Sequence, residues 1–147
     1  MGFFRYLVVI FLVLNTALPG CMDKQAFPDW EVENEIFIAP GEYHVMANYT
    51  PIGNATINFQ TLNLAGEPTM LINVYTLTET NFNDFVNCQS FAFIDELSWE
   101  NSSSGDNTHY IERAGEEVYL VLDNYHCSAD DSTQEVNVWY AFIFHSE

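Results

Sequence analysis

Positive charge is nearly absent from this 147-residue chain: three Lys and Arg stand against 21 Asp and Glu, a formal net charge of −18 at pH 7. Nucleic acids and anionic lipid surfaces are held by Lys and Arg that neutralise phosphates. No nucleic-acid partner is therefore expected, nor electrostatic docking on an anionic membrane. Long apolar runs are missing too: after Leu14 no segment is long and apolar enough to cross a bilayer. Histidine is sparse and scattered, at 44, 109, 126 and 145, without the H-x-H or HExxH spacing of a transition-metal site. The G-x-S-x-G elbow of a serine hydrolase is absent. What remains is not a disordered polyanion, because charged residues make up only 16% of the chain. Aromatic residues, 12 Phe and 8 Tyr among them, supply enough apolar surface for a core.

Residues 1–20 read as a signal peptide. Arg5 precedes the apolar run Tyr6–Leu14, which is short for a membrane span, and small residues follow it. N-myristoylation also begins Met-Gly, but Tyr6 stands where that pattern needs Ser or Thr. Leu18-Pro19-Gly20-Cys21 resembles a lipobox, the motif at which bacterial-type and some archaeal lipoproteins are cut and lipidated; Leu18, Gly20 and Cys21 match it, while Pro19 departs from it. The resemblance implies a lipid on Cys21 and a membrane partner through that anchor. A simple secreted protein with Cys21 free is the other reading. Three cysteines in an exported chain leave one over. With Cys21 lipidated, Cys88 and Cys127 form an even pair, and an oxidising compartment favours a disulfide between them.

Residues 21–34 form the lipidated cysteine and an acidic tether, and 35–147 the folded domain. Turn residues divide that domain into short runs of period-2 alternation. Glu35–Ala39 and Glu42–Tyr49 are the first two. In the second, Tyr43, Val45, Ala47 and Tyr49 are expected on one face, and His44, Met46 and Asn48 on the other. After a turn at Pro51–Asn54 comes Ala55–Leu64, whose phase slips near Thr61 and predicts a bulge there. Thr69–Leu77 is apolar at nearly every position, as in a strand buried on both faces. Thr80–Asn87 breaks the alternation; with Thr78 or Thr80 as cap, it places Phe82, Phe85 and Val86 on the core face of a helical turn. Asn101–Asn107 reads as a loop and Thr108–Arg113 as a strand. Glu116–Cys127 and Glu135–His145 read as central strands. About eight or nine short strands with one short helical turn make an all-β fold, an antiparallel β-sandwich of jelly-roll type. A closed barrel is the alternative.

The order VYTLTETNFNDFVNCQSF, a Ser/Asn loop, then GEEVYLVLDNY resembles secreted β-sandwich modules of the pre-peptidase C-terminal type. The match spans Asn73–Tyr125. It implies an accessory or binding domain and transfers no functional residue.

The chemistry-bearing candidates are few. Asp123, Asn124, Asp130 and Asp131 share one loop region and offer oxygens to calcium, although without the EF-hand order. A solvated acidic loop is the plainer reading. Asn48, Asn54 and Asn101 open N-x-[ST] sequons and are glycosylation candidates, the last two at or beside loops. Trp30, Trp99 and Trp139 are candidates for a sugar-stacking platform. His126 adjoins Cys127, but on a strand neighbours face opposite ways, so a thiol–base pair is not expected. Asp95-Glu96, Glu116-Glu117 and Asp130-Asp131 are sequence neighbours that diverge for the same reason, so no glycosidase pair is inferred. The expected protein is extracytoplasmic, lipid-anchored or secreted, and non-enzymatic. It binds an unidentified protein or glycan at the cell surface and needs no cofactor beyond calcium at most. An acidic envelope-structural protein and a small hydrolase are the alternatives.

Overall fold

The computed structural model describes residues 31–62, 70–113, 115–128 and 134–146. Cys21, Trp30, Asp130 and Asp131 lie outside them, as do the signal peptide and nearly all of the tether. Eight strands run in order: β1 (Val32–Ile38), β2 (Tyr43–Tyr49), β3 (Ile52–Thr61), β4 (Ile72–Thr78), β5 (Trp99–Ser102), β6 (Ser104–Glu112), β7 (Val118–Asp123) and β8 (Val136–Ser146). One α-helix, α1 (Glu79–Val86), and a 3-10 turn at Asp95–Leu97 lie between β4 and β5. The strands form two antiparallel four-stranded sheets, ordered β1-β8-β3-β6 and β2-β7-β4-β5. That order is the double Greek key of a jelly roll, as the turn-divided alternation predicts.

Between the sheets lies the main core. From the first sheet come Ala55, Ile57, Phe59, Val136, Val138, Tyr140 and Phe142; from the second come Ile72, Val74, Leu120 and Leu122. The even positions of β8 from Val136 to Phe144 face inward as the alternation predicts. All seven residues of β4 are buried, because this strand has apolar neighbours on both sides. Its inner residues meet the first sheet. On its outer side, Tyr75 and Leu77 join Val121 of β7 and Phe85 of α1 in a second core, with Phe82, Phe91 and Phe93 packed against it. The helix and the segment after it therefore cover the outer face of the second sheet.

Several expectations need correction. The bulge lies in β2, not near Thr61: pairing with β7 shifts between Val45 and Ala47, whereas β3 keeps one register through Thr61. The extra residue reverses the phase of β2. Tyr43 and Val45 face the second core, while Ala47 and Tyr49 turn to the main one. Pro51–Asn54 is not a turn, since β3 begins at Ile52 and pairs in register with β6. Asn101–Asn107 is not a loop. The chain passes from β5 in one sheet to β6 in the other through Ser103, and Asn101 takes a left-handed φ of 49°. A strand that changes sheets closes a sandwich corner, and turn-forming residues suit the bend it requires. β1 begins at Val32, three residues before the expected onset. The helix has eight residues, and its cap is Thr78, whose hydroxyl accepts from the Asn81 side chain at 2.9 Å. Phe85 is buried and Phe82 stacks on Tyr119 at 4.1 Å, but Val86 is exposed because the helix ends there.

One polar pair crosses the main core: His44 Nε2 lies 3.1 Å from Tyr140 Oη. Burial holds this imidazole below its ordinary pKa.

At the corner, Gly105 lies against Phe59 and Trp99, and a Cβ added there would come within 2.4 Å of the Phe59 ring and 2.6 Å of the indole. These rings pack edge to face at 5.3 Å and have little room to retreat. Gly105→Ala is expected to cost about 1–3 kcal/mol by overpacking, read as a lower urea midpoint at unchanged slope.

Candidate functional site

The C-terminal end of β7 and the turn after it bring together most of the described candidates. Asp123 closes β7 opposite Asn73 of β4. Both lie on the outer side of the second sheet, where apolar residues give way to polar ones. Asp123 is only 4% exposed. Its Oδ2 accepts from Asn73 Nδ2 at 3.1 Å, and its Oδ1 accepts from the backbone N–H of His126 at 2.7 Å. Asn73 Oδ1 in turn accepts from the Asn101 N–H at 3.0 Å, which ties the carboxylate to the bend in β5. Burial raises the Asp123 carboxyl pKa, and the N–H donors of His126, Asn73 and Tyr125, with the charge of the His126 ring, oppose that rise without cancelling it. The sign follows: a raised native pKa makes the charged form costly to fold at neutral pH. The cost is relieved as pH falls through the raised value toward 3.8.

Asn124 has a structural task. Its Nδ2 donates to the carbonyls of Ile38 and Gln134, both at 3.0 Å, joining the ends of β1 and β7 to the approach to β8. Tyr125 follows with φ of 59°, and its hydroxyl donates to Asn101 Oδ1. The strand expected to run to Cys127 ends at Asp123, and the chain turns through the left-handed Tyr125, so the rule that neighbours diverge fails here. The side-chain ligand atoms of Cys88, His126 and Cys127 all lie within 4.8 Å of one another, contrary to the expectation of separation. The sulfurs are joined in a disulfide with a Cα–Cα distance of 5.4 Å. Cys88, itself at φ 54°, sits just beyond α1, so the bond fastens the helical cover to the end of the sheet. The His126 ring fills the gap under this bridge. Its nitrogens lie 3.4 Å from the Gly41 carbonyl and 3.3 Å from that of Val86, and it packs on Tyr43 at 4.7 Å.

Above Asp123 opens a pocket of about 120 Å³, lined by Asn73, Tyr75, Phe85, Phe91, Asp123, Tyr125, Cys127 and Ser128. At its rim the Tyr75 hydroxyl donates to Glu100 at 3.4 Å. Burial, followed by the charges of Asp123 and Glu100, pushes this phenol well above its ordinary range. The pocket therefore combines a buried carboxylate with aromatic walls, and the exposed Glu100 lies outside its lining. It suits a cation. Sequence reasoning selected Asp123 but missed Tyr75, Phe91 and Tyr125, which looked like core or turn residues. The signal available was Tyr75 on the same sheet face as Asp123, two strand positions from Asn73.

A larger groove, about 410 Å³, runs between Phe93–Glu96 and His109–Arg113. Two pairs lie along its surface, His109 with Glu96 at 4.0 Å and Arg113 with Glu116 at 3.4 Å, all partly or well exposed. Exposed pairs of this kind hold little energy, so the smaller pocket is the stronger candidate. The described tryptophans do not share a platform. Trp99 packs inward on Phe59, whereas Trp139 lies on the other side of the first sheet, its indole N–H donating to Glu33 at 3.1 Å. The three sequon asparagines are exposed; Asn48 lies within β2, and Asn54 and Asn101 lie within β3 and β5 rather than at or beside loops.

No protein-family model matches the chain, and no curated protein matches it in sequence.

The disulfide closes a separation of 39 residues. Replacing both cysteines by serine is expected to lower stability by about 4 kcal/mol through the freed unfolded chain. Denaturant titration of the variant against the oxidised parent measures that difference.

Proposed function

We propose that this protein is an extracytoplasmic, non-enzymatic binding module, held at the membrane by a lipid on Cys21, whose ligand carries positive charge and enters the Asp123 pocket. The disulfide supports an oxidising compartment, and no helix among the described residues is long and apolar enough to cross a membrane. The observation that carries the ligand assignment is the position of Asp123. A carboxylate 4% exposed, met by the N–H groups of Asn73, Tyr125 and His126 and by the His126 ring, still bears a net desolvation cost, which an arriving cation offsets. Its hydrogen bonds from Asn73 and His126 hold both oxygens as acceptors in one orientation. The surrounding charge of −18 raises the local concentration of any cation and speeds its approach.

A cation that binds only the native state must raise its melting temperature by mass action. Titration with calcium, magnesium, primary amines and methylated amines at fixed ionic strength is expected to give a saturable rise for at least one of them. Asp123→Asn strongly reduces it. Because protonation removes the charge and the native carboxyl pKa is raised, the rise fades on acidification and is half lost above pH 3.8, the ordinary carboxyl value. A rise that every salt reproduces equally, or that Asp123→Asn retains, rejects the site. The anchor is tested separately: Cys21→Ser moves the protein from the membrane fraction to the soluble one, and unchanged fractionation counts against lipidation.

A further inference from the structure

The walls of the Asp123 pocket narrow the kind of cation. Tyr75, Phe85 and Phe91 meet edge to face. Tyr75 and Phe91 have centroids 5.2 Å apart with planes at 79°, Phe85 and Phe91 are 5.4 Å apart at 89°, and Tyr75 and Phe85 are 6.0 Å apart at 60°. Three planes so disposed form a corner rather than a stack. Tyr125 supplies a fourth aromatic side to the same cavity, and Asp123 supplies its charge.

Building on the reading of this pocket as a cation site, we infer that it is an aromatic cage for a methylated ammonium group, closed on one side by the Asp123 carboxylate. The faces of aromatic rings carry negative potential and attract a cation within about 6 Å of their centroids. They offer no lone pairs to replace a tight hydration shell. A primary ammonium brings three N–H donors that need acceptors, and calcium takes six to eight oxygens. The described walls provide one carboxylate, one amide and hydroxyls. A quaternary ammonium needs no hydrogen bond: its charge is spread over methyl groups that pack on rings. The cavity, about 120 Å³, has room for a nitrogen and its methyl substituents. The corner is also rigid. Tyr75 and Phe85 are 6% and 2% exposed, and the disulfide from Cys127 fixes the end of the helix that carries Phe85. Little ordering is left for the ligand to impose.

Choline and ethanolamine test this directly, since they share a skeleton and differ in methylation of the nitrogen. With the purified full chain at fixed ionic strength, calorimetric titration is expected to show choline and tetramethylammonium binding at least about tenfold more tightly than ethanolamine. Phe91→Leu keeps apolar volume but removes a ring face, and it is expected to weaken choline about tenfold with an unchanged circular dichroism spectrum. Asp123→Asn weakens choline and ethanolamine alike. Ethanolamine or calcium binding as tightly as choline overturns the cage while leaving the cation site standing. Absence of binding by every cation overturns both. Choline affinity unchanged in Phe91→Leu also overturns the cage, and the comparison of choline with ethanolamine on the parent protein decides the matter if that variant fails to fold. Two further arms identify the source of the group. A peptide bearing trimethyl-lysine and vesicles of phosphatidylcholine are each competed by free choline if they present it; whichever binds supports the cage and names the carrier.

Discussion

The second sheet is apolar on both faces, and the arrangement of the rest of the domain follows from that. Facing the first sheet, Ile72, Val74, Leu120 and Leu122 fill a sandwich core that any jelly roll would need. Facing the other way, Tyr75, Leu77 and Val121 would be an exposed apolar surface without a cover. A two-turn helix cannot hold such a position by its own propensity, because isolated helices of this length are not stable in water. It is held by Phe85, 2% exposed, by Phe82 stacked on Tyr119, and by the disulfide just past its end. Burial of aromatic side chains and one covalent tie together do what helix formation alone does not.

The pocket is a consequence of where that cover stops. Along β4 and β7 the outward positions run from Leu77 and Tyr119 to Asn73 and Asp123, apolar at one end and polar at the other. The helix runs toward the polar end and finishes at Val86. Between its end and the turn after β7 the rings of Tyr75, Phe85 and Phe91 are left lining a small space with a carboxylate beneath. The Asn73, Asp123 and Asn101 hydrogen bonds keep the polar groups satisfied, as buried polar groups require. Together with the His126 ring they offset the burial of the carboxylate only in part.

Much of the sandwich was legible because its signal is local. Alternation in β8 and continuous apolarity in β4 follow directly from which faces are buried, and pairing of Cys88 with Cys127 follows from counting once Cys21 is assigned elsewhere. The failures share a different cause. The bulge that reverses β2 is set by pairing with β7, a partner far along the chain, so nothing in Tyr43–Tyr49 alone announces it. Asn101–Asn107 carries the residues of a loop because a strand that bends between sheets needs them for the bend; its remaining backbone pairs with β3 all the same. At the site, Asp123 stood out by charge, whereas Phe91 and Tyr125 acquire their role only from the tertiary position of the helix cover. Ring geometry is not encoded in spacing.

The two ends of the domain differ in a way that bears on the proposed anchor. Chain entry is at Glu31, whose N–H donates to the Phe142 carbonyl beside the start of β1. The pocket lies at the other end, where Ile38 accepts from Asn124 and Gly41 donates to the Asn124 carbonyl. The seven residues of β1 separate these ends by roughly 20 Å at strand rise. Cys21 precedes Glu31 by ten positions, so its reach is at most about 35 Å. A lipid there keeps the domain close to the bilayer yet attaches it at the end remote from Asp123. Under the proposed anchor the pocket would lie at the end of the domain away from its attachment, open to a soluble cation or a partner's side chain. A headgroup in the same membrane would have to be met by tilting the domain over, against an acidic surface that nearby anionic lipids repel.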